Sequence, residues 1–331
     1  MVPPPSALDV QADPFELVRD ELRLVEEELR ADAACDVRAV TEIGDYLRQS
    51  GGKRIRPALV LLTAHLCGCE PGPRRRLAAI VEMIHAATLI HDDIIDEAAT
   101  RRGQPSTNAR WGNQRCVLAG DWLYMQSFSL ALRERHFGIL DALISLTQDM
   151  VEGELLQLEM ERTVVNPAQH RTLMERKTAR LFEVSSQLGA MAAGQSDAVC
   201  DRLGRFGRHL GLAFQMVDDI LDFTATAEIL GKPVGNDLRE GKMTLPAIYA
   251  YESAAPAQRE RMETVMRDQK YTTVSFEEVR DLVVASGALE RARTEAEAEA
   301  QASLRALREF PASPLRAALE RLPELVTARR N

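Results

Sequence analysis

The chain has little of what builds sheets. Aromatics are 5% of its 331 residues and Val/Ile/Thr alternation is scarce, which argues against strands and hairpins. Cysteine is also thin. Cys35, Cys67, Cys69, Cys116 and Cys200 are odd in number and scattered, and Cys67-Gly68-Cys69 has no second pair to complete a zinc site. They read as reduced thiols acting as small apolar side chains in the cytoplasm. No window approaches the roughly 18 uninterrupted apolar residues of a membrane span. The start, MVPPPSALDVQADP, lacks the basic and apolar regions of a signal peptide. Excess positive charge is missing too. A net charge of −9 and a pI near 5.4 exclude nucleic acid as the main partner and leave at most peripheral membrane contact. A local basic cluster can still hold an anionic substrate.

What is abundant is Ala, Leu, Glu and Arg, the helix formers. Residues 1–13, with Pro3-Pro4-Pro5, read as a flexible tail. From Pro14 apolar residues recur near i, i+3, i+4. Helical patterns follow over about 57–68, 74–99, 114–135, 138–161, 168–193, 198–224 and 244–254, with more to the end. Breakers fall at Pro71-Gly72-Pro73, Asn166-Pro167 and the GKPVGND loop. No linker divides the chain after residue 14. The expectation is all-α, with 14–331 as one large helical domain around a central cavity.

Two acidic motifs interrupt this apolar pattern: DDIID at 92–96 and DDILD at 218–222. With 50 acids in the chain, one such spacing arises by chance about once; two all-aspartate copies, each following apolar helix, do not. Asp92 and Asp96 share a helix face, as do Asp218 and Asp222. Buried carboxylates need a partner, and carboxylates across a cavity suit a hard cation such as Mg²⁺. Lys53 and Arg56 in GGKRIRP, Arg101 and Arg102 in RRG, Lys177, Lys232 and Lys242 then form a distributed cationic set. Arg offers bidentate forks and Lys point charges to a polyphosphate. GGKRIRP lacks the P-loop spacing.

These residues resemble the trans-type polyprenyl diphosphate synthases. The similarity runs over about 40–250: GGKRIRP, IHAATLIHDDIIDEAATRRGQPSTN, GDWLY, EGELLQL, KTARLF, FQMVDDILDF and GKPVGNDLREGKMTLP. It implies head-to-tail condensation of isopentenyl diphosphate with an allylic diphosphate, farnesyl or geranylgeranyl. The allylic substrate would bind through about three Mg²⁺ to Asp92, Asp96 and Asp218, with Asp93, Asp219 and Asp222 in support. Arg101, Lys177, Lys232 and Lys242 would contact the same diphosphate. Isopentenyl diphosphate would sit on Lys53, Arg56, His85 and Arg102. Thr178 and Gln215 match positions whose oxygens face the carbocation. A homodimer is expected from the family.

Product length follows from the wall of an apolar tunnel. Ala87 and Thr88 lie about one turn, 5.4 Å, before Asp92, close to one isoprene unit. Family members with short products tend to put an aromatic residue there; two small residues imply an open tunnel, and Ala87→Phe should shorten the product. Met125, Phe128, Ser129 and Leu132 are candidate floor residues. With a one-isoprene step per helical turn, the expectation is about C30 to C50, with C20 as the alternative. Other readings are a di-iron bundle from Glu82-x-x-His85, a terpene cyclase, and a helical subunit of a heteromeric synthase.

Overall fold

The computed structural model describes residues 13–49, 51–225 and 234–328. The tail read over 1–13 therefore lies outside the described residues except for Asp13, and Lys232 lies outside them as well. The described chain is almost entirely helical. Its helices are α1 (Arg19–Asp32), α2 (Arg38–Gln49), α3 (Ile55–Leu66), α4 (Pro71–Ile95), α5 (Thr107–Trp111), α6 (Asn113–Arg133), α7 (Phe137–Met160) and α8 (Pro167–Met174). They continue as α9 (Arg180–Ala192), α10 (Asp197–Thr224), α11 (Asn236–Arg239), α12 (Leu245–Ser253), α13 (Pro256–Asp268), α14 (Phe276–Ala285), α15 (Ala288–Leu307) and α16 (Pro314–Thr327).

The core forms where the longest apolar helices meet. α10 packs most extensively on α9 and α15, α4 lies along α6, and α3 lies along α9. Small residues set these approaches. A Cβ at Gly189 would overlap the backbone of Ala64, and one at Gly211 would overlap Ala179 just before α9, so α9 nearly touches α3 and its lead-in nearly touches α10. Pro71 opens α4, where its missing N–H costs nothing. Asn166 and Gln169 cap α8 reciprocally with Pro167 at the first position.

Two local departures matter for the site. The helix expected to run to 99 stops at Ile95, and Glu97 adopts φ 47°. The chain then makes the one strand pair found among the described residues, Thr100–Arg101 with Gln104–Pro105. Arg102 and Gly103 turn it with φ of 51° and 74°, the positive pair that closes a two-residue hairpin. Likewise, 168–193 is not one helix. A π-helical turn, Glu175–Ala179, separates α8 from α9 and carries Lys177 and Thr178. π-turns often mark functional positions. Here the partner is α7: a Cβ on Gly153 would stand 3.0 Å from the backbone nitrogen of Lys177, so glycine lets the turn approach.

Candidate active site

α4, α7, α8, α10 and the loop before α12 surround a cavity of about 680 Å³. Asp92 lines it from α4 and Asp96 from just past the end of that helix, Asp218 and Asp219 from α10, and Lys177 and Thr178 from the π-turn. Arg101, Arg102, Gln215 and Lys242 also line it. A second cavity of about 300 Å³ is lined by Lys53, Arg56, His85 and Arg102, with Phe214 and Leu123 on its apolar side. Arg102 is common to both. The sequence-derived cations thus separate into two groups joined at the hairpin.

Within the large cavity each charge is held in place. Lys177 Nζ donates to Glu154 Oε1 at 2.6 Å and to Gln157 Oε1 at 3.0 Å, both from α7. Lys242 Nζ donates to Asp96 Oδ1 at 2.7 Å and Glu240 Oε2 at 2.8 Å. Burial disfavours its charge, but the two carboxylates outweigh that and hold its pKa above the ordinary lysine value. Thr178 Oγ1 donates to Gln215 Oε1 at 2.8 Å, and Gln215 Nε2 donates to Asp219 Oδ1 at 2.9 Å. His170 Nε2 meets Asp219 Oδ2 at 2.8 Å. This row of hydrogen bonds fixes Thr178 and Gln215 from behind.

The six aspartates are not equivalent. Asp92 is pushed up to about 7, first by burial and then by repulsion from Glu154 and Asp96, against attraction from Lys177 and Arg101. It is a carboxylate in want of positive charge. Asp93 points elsewhere: it is fully buried and absent from both cavity walls. It accepts from Arg101 Nε at 2.5 Å and from Thr107 N and Oγ1 at 3.2 and 3.1 Å. Asp222 accepts from the N–H groups of Asn236 and Asp237, each at 3.3 Å, and caps α11. Asp93 and Asp222, read from the motifs as metal-type, are therefore engaged in anchoring loops, because helix spacing gives the face of a residue and not its neighbours. Among the described residues, no three His, Cys, Asp or Glu side chains converge closely enough to hold an ion alone.

In the smaller cavity, Arg56 Nη1 lies 3.1 Å from His85 Nε2 and its guanidinium sits 5.1 Å over the Phe182 ring. Burial lowers Arg56 to about 10, with Glu82 opposing. Burial, then Arg56 and Arg102, hold His85 well below its ordinary value, so it stays neutral beside the arginines. Arg54, overlooked in the sequence, adopts φ 47° ahead of α3 and pairs with Glu26 at 2.5 Å and with Glu82. Glu82, the acid of the di-iron half-motif, is thus an arginine partner. A Cβ at Gly52 would stand 3.2 Å from Arg102 Nη1, so the second glycine of GGKRIRP makes room for that guanidinium.

The tunnel residues fare differently. Ala87 is fully buried, Thr88 donates to His85 O at 2.8 Å, and neither lines the two cavities. Phe128 is half-buried, but Met125 is 63% exposed and Ser129 is also exposed. They stand on the outer face of α6 and form no floor within a single chain. Gln157 and His170 line the large cavity and were missed; the Gln in EGELLQL carried the available signal.

The polyprenyl synthetase family profile matches residues 37–283. The chain is 37% identical over 295 residues to octaprenyl diphosphate synthase of Escherichia coli (strain K12), covering 89% of this chain and 91% of that protein. It is 36% identical over 325 residues to the geranyl-diphosphate-specific all-trans-nonaprenyl-diphosphate synthase of Rhodobacter capsulatus, covering 98% and 99%. A polyprenyl synthase from Caulobacter crescentus CB15, solved with calcium and isoprenyl diphosphate, superposes with a TM-score of 0.92 at 34% identity, over 99% of this chain and all of that one. With its fold and motifs in agreement, the chain belongs to the polyprenyl synthetase family and is a prenyltransferase of the all-helical isoprenoid synthase fold.

Proposed function

We propose that the enzyme condenses isopentenyl diphosphate head-to-tail onto an allylic diphosphate to give an all-trans polyprenyl diphosphate. The reading is carried by one observation: two cation-lined cavities meet at Arg102, and only the larger is lined by aspartates of the two acidic motifs. The allylic diphosphate occupies the larger, against Arg101, Lys177 and Lys242, with Lys232 assigned by resemblance alone. Isopentenyl diphosphate occupies the smaller, on Lys53, Arg56, His85 and Arg102. Asp92, Asp96 and Asp218 suit Mg²⁺, about three ions, since this ion takes one or two carboxylates and fills its shell with water and phosphate oxygens. Bound there, Mg²⁺ would stabilise charge developing on the leaving diphosphate.

The chain's own residues do the rest. Lys177, Arg101 and Lys242 stabilise the departing anion from fixed positions. Thr178 and Gln215 turn oxygen lone pairs toward the allylic cation, held by their mutual hydrogen bond and by Asp219. The alkene of isopentenyl diphosphate attacks, a carbon–carbon bond forms, and the proton leaves to the released diphosphate. We assign a product of about C30 to C50, in keeping with small residues about one helical turn from the first motif. The octaprenyl and nonaprenyl relatives support that length.

The same proposal includes a single domain over 14–331, a cytoplasmic enzyme, and a homodimer through α6 and α7. Exposed apolar residues recur every seventh position on both helices: Leu118, Met125 and Leu132, then Phe137, Ile144, Val151 and Leu158. A strict seven-residue apolar repeat on an exposed face fits packing against another helix. A second copy would cover Met125 and Ser129.

The test is to incubate the protein with Mg²⁺, isopentenyl diphosphate and farnesyl or geranylgeranyl diphosphate and take a mass profile. A ladder ending at C30 or longer supports the proposal. A stop at C20 keeps the chemistry and overturns the length. No elongation with any primer overturns the enzyme reading in favour of a subunit that needs a partner chain.

A further inference from the structure

Gln157 stands on α7 beside the π-turn and is only 8% exposed. Its Oε1 accepts from Lys177 Nζ at 3.0 Å. A lysine ammonium only donates, so the carbonyl end of the carboxamide must face it, which settles the amide orientation. The Nε2 end is then directed away from Lys177. That nitrogen is buried and has no hydrogen-bond partner among the described residues, in a side chain that lines the large cavity. Buried donors are nearly always paired, so one left over in a cavity wall points to a ligand.

Chemistry narrows the ligand. An amide NH₂ donates two protons and does not ligate a cation, and a metal-bound water likewise presents protons. Its complement is an oxygen with free lone pairs and preferably negative charge. Lys177, which lines the same cavity, calls for the same partner.

We propose that Gln157 is a substrate-binding residue, whose Nε2 donates to an oxygen of the allylic diphosphate that faces away from the metal-binding aspartates. The inference rests on the reading of this cavity as the allylic diphosphate site. It gives the cavity a neutral contact beside its cations, one that keeps its strength when salt screens the charges.

Two variants separate this role from that of merely holding Lys177. Gln157→Glu keeps an acceptor for the lysine and loses the donor; Gln157→Met loses both, with Lys177 still held by Glu154 at 2.6 Å. The measurements are KM for each substrate and calorimetric binding of inorganic pyrophosphate with Mg²⁺. The expected result is that both variants weaken pyrophosphate binding and raise KM for the allylic substrate about tenfold or more, the loss of a hydrogen bond to a charged group. KM for isopentenyl diphosphate should stay within about twofold, which also reports an intact fold. If only Gln157→Glu is impaired, the effect is repulsion and the proposal is overturned. If only Gln157→Met is impaired, Gln157 merely holds the lysine and the proposal is again overturned. Wild-type protein that binds pyrophosphate while both variants match it overturns this inference alone. Wild-type protein that neither binds pyrophosphate nor elongates overturns the parent reading and this inference with it.

Discussion

Asp92 and Asp93 are adjacent in sequence and should respond oppositely to the same substitution. Asp93 is fully buried and holds Arg101 and Thr107. Breaking a buried ion pair by removing one partner costs about 3–5 kcal/mol. Arg101 is 29% exposed, and asparagine retains one acceptor, so Asp93→Asn should cost about 2–3 kcal/mol. Asp92 has the reverse balance. Its carboxyl rises from 3.8 to about 7 in the folded chain. A raised acid makes the folded state bind more protons, so its ionisation destabilises the fold increasingly from pH 4 to about 7 and by a constant amount above. About three pH units would be roughly 4 kcal/mol if fully realised; a partly buried group on an open cavity wall should realise about 1–2 kcal/mol. Asp92→Asn should therefore stabilise the metal-free protein by about 1–2 kcal/mol at pH 8, and by less than half that at pH 5. Turnover should fall by two orders of magnitude or more. Urea unfolding in EDTA at the two pH values measures the first and a product assay the second. Equal destabilisation by both variants at pH 8 would refute the reasoning.

Two further outcomes follow from the geometry. Lys242→Met leaves Asp96 and Glu240 facing each other without a cation, so KM for the allylic substrate should rise about tenfold and recover in part at high Mg²⁺; an unchanged KM would remove Lys242 from the site. Gly52→Ala pushes on the Arg102 guanidinium from 3.2 Å, so KM for isopentenyl diphosphate should rise several-fold while kcat holds; steady-state kinetics with each substrate varied in turn reads the difference.

The long helices were legible because apolar spacing and Pro/Gly breakers are local signals. α3, α6, α7 and α10 lie within about two residues of where periodicity puts them. What escaped depends on contacts between distant segments. The π-turn exists where Gly153 of α7 meets it, and nothing between 168 and 193 announces that. The end of α4 and the hairpin after it turn on Glu97 and Arg102 at positive φ, residues that favour no such conformation themselves. The aspartate motifs were legible as motifs, but the inward turn of Asp93 toward Thr107 was not. Met125 and Ser129 were candidate floor residues because they lie on the helix that follows the first motif; the sequence does not say which way that face turns, and in the structure Leu118, Met125 and Leu132 are exposed along it.

The hairpin also has a mechanical consequence. Arg101 and Arg102 project from neighbouring positions of one tight turn, and Asp93 ties that turn to the helix bearing the first motif. The two cavities therefore take their bearings from a common datum a few ångströms across. Displacement of the turn would carry Arg101 and Arg102 together rather than apart. On the proposed assignment, a contact to each diphosphate comes from one six-residue turn, so the offset between those two contacts is set locally and not by the packing of distant helices.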